Sequence, residues 1–390
     1  MRFPGIHVWM CSIWALTVLG QIARAAEPAL EERVRTLEQQ LLTLDHEQTS
    51  PTAISGYMDF HYNDPNPGNS ILDFHRFVLL FSHEFSDSIR FYSELEVEHA
   101  FIKGGSTSNG EVELEQAFLD FHINPRLAIR AGLVLVPMGI QNERHEGPAY
   151  FGVERHQVET VLIPTTWFDP GIGIFGRIAP GLDYKLYLLG SLDGAKFKAS
   201  GIRGARSKAF KTNADKPAIA SRLTYNGFKD LTLGTSLYYG DVGHEIDTSA
   251  AVTIYDIDLA YRYRSLELRG IWTQTFVSNA DGLTAAIAPE DGPVAKQMEG
   301  FGLEAAVHIL PQTHRWDLAV FSRYEEANTQ AEVPTGFLPK TQFDRNWITL
   351  GVSFWPHPDV VIKVDYQIGN NEDPIVEEGD SFNMGLGWWF

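Results

Sequence analysis

Between Gly194 and Lys216 the chain sets Lys196, Lys198, Arg203, Arg206, Lys208, Lys211 and Lys216 against a single acid, Asp215. Such a cluster attracts anions: at 4 Å a unit charge contributes about 1 kcal/mol in water and about 4 in a partly shielded site. At the mouth of a passage these groups would concentrate anions and lower their entry barrier. They would equally well hold the phosphates of lipopolysaccharide. Two more cations, Arg144 and Arg155, sit in Arg144-His-Glu146 and Glu154-Arg-His156 within residues 137–169, which lack a regular pattern. Opposing acids recur at every second position, as Glu94, Glu96 and Glu98 and as Asp256 and Asp258. That spacing places each row on one face of a strand. This is chemistry for guiding charge, with no bond made or broken. His145, Glu146, Glu154 and His156 can be drawn around a metal, but their spacing fits no recognised ligand pattern. The chain has no G-x-S-x-G elbow, no H-E-x-x-H and no phosphate-binding glycine loop with its lysine. No enzyme, cofactor or metal is expected.

The elements that position these charges are strands. From Ile54 onward sixteen segments alternate at period two: 54–63, 72–85, 89–101, 112–123, 127–136, 171–179, 183–192, 217–226, 231–240, 253–263, 265–276, 299–310, 315–325, 344–355, 359–369 and 380–390. In one, Val360, Ile362, Val364, Tyr366 and Ile368 oppose Lys363, Asp365 and Gln367. Short turns such as Asn124-Pro-Arg126, Pro180-Gly-Leu182 and Pro356-His-Pro358 alternate with longer connections. This is the layout of a transmembrane antiparallel β-barrel, with short turns in the periplasm and long loops outside. On a lipid-facing surface a Lys or Arg near the midplane costs about 2–4 kcal/mol, so the charged parity is expected to point inward. A secreted β-sandwich, as in an adhesin or binding protein, would instead bury the apolar parity. His75 and Arg76 fall on opposite parities within one segment, which predicts a bulge or an early loop boundary. The long 137–169 connection is expected to fold into the lumen as a constriction, or else to lie outside as a lid.

Both ends fit export. Met1-Arg2, an apolar run from Val8 to Leu19 and Ala23-Arg-Ala25 form a signal peptide over 1–25. Its loss lowers the basic count from 31 to 29 against 50 acidic residues, a net charge of about −21, which argues against nucleic acid as a partner. The only cysteine, Cys11, leaves with the signal, so disulfides and thiolate sites are excluded. Over 26–50, Leu30, Val34, Leu37, Leu41 and Leu44 form a heptad seam, predicting a periplasmic helix or coiled coil before the barrel at 54–390. At the far end, Phe382, Met384, Leu386, Trp388 and Phe390 share one parity. A strand ending on Trp388 and Phe390 resembles the closing strand that barrel assembly machinery reads in Gram-negative outer-membrane proteins.

The layout from Ile54 to Phe390 resembles the phosphate-selective porins O and P. The likeness rests on Ile54-Ser-Gly-Tyr-Met-Asp-Phe, Phe74-His-Arg-Phe, Gly132-Leu-Val-Leu-Val-Pro-Met-Gly139 and Gly171-Ile-Gly-Ile-Phe-Gly176. It implies a sixteen-stranded homotrimer in the outer membrane of a Gram-negative bacterium, in which arginines and lysines guide anions to a narrow waist. The chain departs from that pattern in its second strand, where Arg76 is the single arginine, and in the acidic row at Glu94, Glu96 and Glu98. The expected function is passive diffusion of small ions and hydrophilic solutes. Arg144, Arg155, Lys196, Lys198, Arg203, Arg206 and Lys208 are the anion-guiding candidates. Glu94, Glu96, Glu98, Asp256 and Asp258 form an acidic wall that would favour cations instead.

Overall fold

Period-two alternation of β-branched and aromatic residues with polar ones produces strands throughout. The computed structural model describes residues 51–101, 110–243, 246, 248–311 and 313–390. The strands are β1 (Thr52–Asn66), β2 (Ile71–Ser86), β3 (Ile89–Glu98), β4 (Glu111–Asn124), β5 (Leu127–Leu135), β6 (Phe168–Ala179), β7 (Leu182–Leu189) and β8 (Ala218–Phe228). They continue as β9 (Leu231–Asp241), β10 (Ala251–Tyr263), β11 (Leu266–Val277), β12 (Gln297–His308), β13 (Asp317–Glu332), β14 (Asp344–His357), β15 (Val360–Asn371) and β16 (Asp380–Trp389). Among the described residues two short α-helices, α1 (Gln157–Val161) and α2 (Ala280–Ile287), lie in connections. The signal segment 1–25 and the heptad segment 26–50 lie outside the described residues.

Each strand pairs with its sequence neighbours and β1 pairs with β16, giving a closed barrel. Across the seam Tyr57 faces Trp389 and Asn66 faces Asp380. Gly56 and Phe390 exchange two backbone hydrogen bonds of 2.9 Å. Closure leaves no edge strand open to another chain.

Parity decides which face is inside. On β15, Val361, Lys363 and Asp365 are buried, whereas Ile362, Val364 and Tyr366 are exposed. On β10, Asp256 and Asp258 are buried while Ile257 is 58% exposed. The apolar parity therefore faces outward around the ring, the reverse of a sandwich, whose core would hold it.

One rim carries tight turns, with residues in the left-handed region where the reversal demands it: Gly181 (φ 75°), Asp230 (φ 62°) and Arg264 (φ 54°). The other rim carries the loops. Two connections break the expected alternation. β1 and β2 run on past their expected ends, so residues 67–70 alone join them at the loop rim, while 309–316 form a longer link at the turn rim. The expected bulge is present: Asp59 pairs with Arg76 but His61 with Asp73, so three steps on β2 match two on β1.

The interior holds the core. Leu162, Ile163 and Trp167 from residues 136–167 meet Leu192, Phe197 and Ile202 from residues 190–217 and Leu283 of α2. These pack on Leu189, Ala218, Tyr238, Val252 and Ile254, inward residues near the loop rim. Burying a side chain of this kind contributes about 1.5–3 kcal/mol. On this side the inward wall is apolar, because loops and not water cover it.

Candidate functional site

The 136–167 loop is tied to the inner wall at intervals around the ring. At its start the Gly139 amide donates to Asp256 Oδ2 on β10 at 3.1 Å. His145 Nε2 lies 2.8 Å from Glu115 on β4 and 3.7 Å from Glu94 on β3. Burial opposes a charge on His145, but the Glu115 and Glu94 carboxylates prevail and raise its pKa to about 9. Lys363 on β15 donates to the Gly147 and Gly152 carbonyls at 2.5 and 2.8 Å. Glu154 meets His61 on β1 at 3.1 Å, and His156 meets Glu304 on β12 at 3.2 Å. In α1 the Val158 amide donates to Glu325 on β13 at 3.1 Å. A loop must satisfy its buried backbone groups, and here charged wall residues do so. Of the two placements open to this loop, the inward one is observed.

The basic 190–217 loop also turns inward and docks on the first. Arg203 donates to the Thr160 carbonyl at 3.3 Å and to that of Thr165. Arg206 donates to the Arg203 carbonyl at 3.1 Å and to that of Thr166. Arg155, from the first loop, reaches toward the His145 carbonyl at 3.4 Å. Three guanidinium groups are thereby gathered. Burial, then the neighbouring charges of Arg206 and Arg155, push the Arg203 pKa down. Burial also lowers that of Arg206, with Glu113 opposing and Arg155 adding to the fall. Cations whose charge is penalised by burial and by each other are groups an anion would stabilise.

Facing them is the inner surface of β3 and β4. Glu96 pairs in register with Glu113, and Glu98 with Glu111. Like charges directly opposite are unfavourable unless cations intervene. Lys208 does so, meeting Glu111 at 2.5 Å and also Glu113, while Arg76 lies 4.0 Å from Glu96. A register shift after Glu94 skips Glu115, which is buried against His145. Glu98 and Glu113 act electrostatically on both Arg203 and Arg206, so basic and acidic surfaces oppose each other across this part of the interior.

The structure sorts the expected residues. Arg155 acts on Glu96, Arg203 and Arg206 on Glu98, and Lys208 pairs with Glu111 and Glu113 beside them. Arg144 is exposed. Lys196 and Lys198 are also exposed, Lys196 pairing with Asp193 at 3.2 Å. Asp256 and Asp258 correct the expected acidic wall. They face inward but are covered: Asp258 makes a two-point pair with Arg222 at 2.7 and 2.9 Å, and Asp256 holds Gly139. His145, Glu146, Glu154 and His156 do not form one cluster, since His145, Glu154 and His156 each bind a different wall residue. Trp388 and Phe390 pack outside, against Phe74 and Phe77. Glu111, Glu113 and Glu115 were missed, although their alternation is legible in Glu111-Val-Glu-Leu-Glu115.

No family model matches the chain. Among solved structures it is similar to Salmonella typhi OmpF, with TM-score 0.59 and 11% identity over 87% of this chain and 97% of that one. It is also similar to an anion-selective porin from Comamonas acidovorans, with TM-score 0.56 and 13% identity over 88% of this chain and 100% of that one. These likenesses show a porin-type barrel fold, at which level the resemblance to the phosphate-selective porins holds. A sequence from Aquifex aeolicus (strain VF5), described as an uncharacterized protein, is 31% identical over 351 residues, covering 87% of this chain and 80% of that protein. The chain belongs to the same family as that Aquifex aeolicus protein.

Proposed function

We propose that this protein is an outer-membrane channel for passive diffusion of small hydrophilic solutes, with a preference for anions. The observation that carries the reading is the gathering of Arg155, Arg203 and Arg206 inside a closed barrel, facing Glu98 and Glu113. The outward apolar parity supports residence in a lipid bilayer, and an exported chain with a porin-type barrel fits a Gram-negative outer membrane. Such a barrel would be inserted by the assembly machinery, contact lipopolysaccharide at the loop rim and associate as a homotrimer like the proteins it resembles. An ion entering at the loop rim exchanges part of its hydration for the guanidinium cluster and leaves because that binding is weak. No covalent step is involved, so the protein is read as non-enzymatic. Phosphate is the anion to test first, as the resemblance suggests.

The acidic β3–β4 surface favours a second reading, a cation-preferring porin. Reversal potential across a planar bilayer under a KCl gradient separates the two. Chloride preference that disappears when Arg155, Arg203 and Arg206 are all changed to Ala supports the first. Cation preference in the unaltered protein assigns selectivity to the glutamates. Absence of any conductance overturns both.

A further inference from the structure

Above β1–β3, near the loop rim, three side chains converge that neither inward loop uses. Asp73 Oδ2 lies 3.1 Å from His75 Nδ1 and 2.8 Å from His99 Nδ1. The two rings meet edge-on with centroids 5.5 Å apart, so both aim a nitrogen at the same oxygen. One donor atom from each of the three residues lies within 4.8 Å of the others.

Local backbone irregularities create this convergence. The shift between the Asp59 and His61 pairings adds a residue to β2 and brings both Asp73 and Arg76 to the inner wall. Just past the end of β3, His99 and Ala100 both adopt left-handed backbone, at φ 58° and 50°. This folds His99 back, with its amide donating to the His75 carbonyl at 2.9 Å. Non-glycine residues rarely hold such angles. Behind the trio, His61 stacks on His75 at 4.5 Å and is itself fixed by Asp59 and Glu154. The front is open: the side chains of His99 and Asp73 are 38% and 22% exposed.

We propose that Asp73, His75 and His99 bind one divalent transition-metal cation of the zinc type. Two imidazole nitrogens and one carboxylate oxygen suit zinc, copper or nickel, whereas calcium and magnesium demand oxygen shells. Zinc bonds of about 2.0–2.2 Å require donors on the order of 3.3 Å apart in a tetrahedron, so the 3.1 and 2.8 Å from Asp73 to the two imidazoles need open only slightly. The exposed side leaves room for a water as fourth ligand. Each imidazole would present a lone pair at Nδ1 and keep its proton at Nε2. Glu94, Glu115 and His145, which also converge, differ in being wholly buried and in anchoring a loop. The site departs from the expectation of no metal, which was drawn from other residues.

The test is calorimetric titration of zinc into the refolded full chain in detergent, alongside copper electron paramagnetic resonance. Neither readout depends on conductance, so failure here is distinct from failure of the channel reading. One zinc per chain is expected, with at least tenfold weaker binding in His99→Ala and none in His75→Gln/His99→Ala. His357→Ala, on the opposite rim, should bind as the unaltered protein does. Copper should show two coordinated nitrogens. His99 stands at a strand end, so His99→Ala keeps the barrel even if changing His75 disturbs the bulge. Absence of zinc binding overturns the proposal, as does undiminished binding in His99→Ala or a spectrum with fewer than two nitrogens.

Discussion

His145 Nε2 and Glu115 Oε2 lie 2.8 Å apart, each side chain only 1% exposed, and this pair fastens the long inward loop to β4. A histidine raised from its ordinary 6.5 to about 9 gives stability that is complete below pH 6.5 and lost as pH rises through 9. A shift of this size corresponds to about 3 kcal/mol. Urea unfolding of the folded barrel, measured from pH 6 to 10, should show its midpoint falling over the upper part of that range. In His145→Gln the fall should flatten. An equally steep profile in that variant would remove the pair from the account.

Lys363 holds the same loop from β15, capping the Gly147 and Gly152 carbonyls with its ammonium 4.2 Å above the Tyr150 ring. Lys363→Met leaves both carbonyls without their donor, at a cost of about 1–3 kcal/mol each. We expect a loosened loop, read as raised open-channel noise and faster proteolysis near Gly152. Quiet traces from the variant would contradict this role.

Arg222 offsets two buried carboxylates, lying 2.7 Å from Asp258 and 3.7 Å from Asp256. Removing one partner of a buried pair costs about 3–5 kcal/mol, because the remaining charge stays desolvated. Arg222→Met should therefore lower the unfolding midpoint markedly, and adding Asp258→Asn should restore part of the loss. If the double variant is no better than the single one, the charges are solvated in the channel and not covered by the loop.

The outward face offers a test of membrane residence. Leu350, midway along β14 and 52% exposed, would contact acyl chains. Leu350→Arg should destabilise folding into lipid vesicles by about 2–4 kcal/mol, while Phe337→Arg in a loop should be nearly silent. Equal effects at the two positions would argue against a lipid-facing belt.

The strands were legible because each repeats one outward-facing apolar parity, a local signal that needs no partner. All sixteen were expected, but several ends were misjudged: β13 runs to Glu332 instead of 325, because β12 pairs with it as far as Gln297. The cations themselves were also legible, since the 190–217 loop is strongly basic and Arg155 stands in a long connection. Their partners were not. Lys363 and Gly147 are separated by 216 positions, and no periodicity links them. Leu162 and Phe197 could not be assigned to a buried cluster, because an apolar residue in an irregular stretch does not announce what covers it. The expectation for Asp256 and Asp258 failed for the same reason: parity shows that a side chain points inward, but not whether water or protein waits there.

Surface connections in most proteins change length freely, since nothing packs on them. The two inward loops here have no such licence. Phe197 and Ile202 are lined up with Leu162 and Trp167, so lengthening one loop strips the other of its neighbours. Across relatives the 136–167 and 190–217 segments should vary together or not at all. Insertions should instead collect at 333–343 and 372–379, where Leu338 and Ile375 already stand free of any core. In this barrel the slowly changing part is the inside of the mouth, and the freely drifting part is its lip.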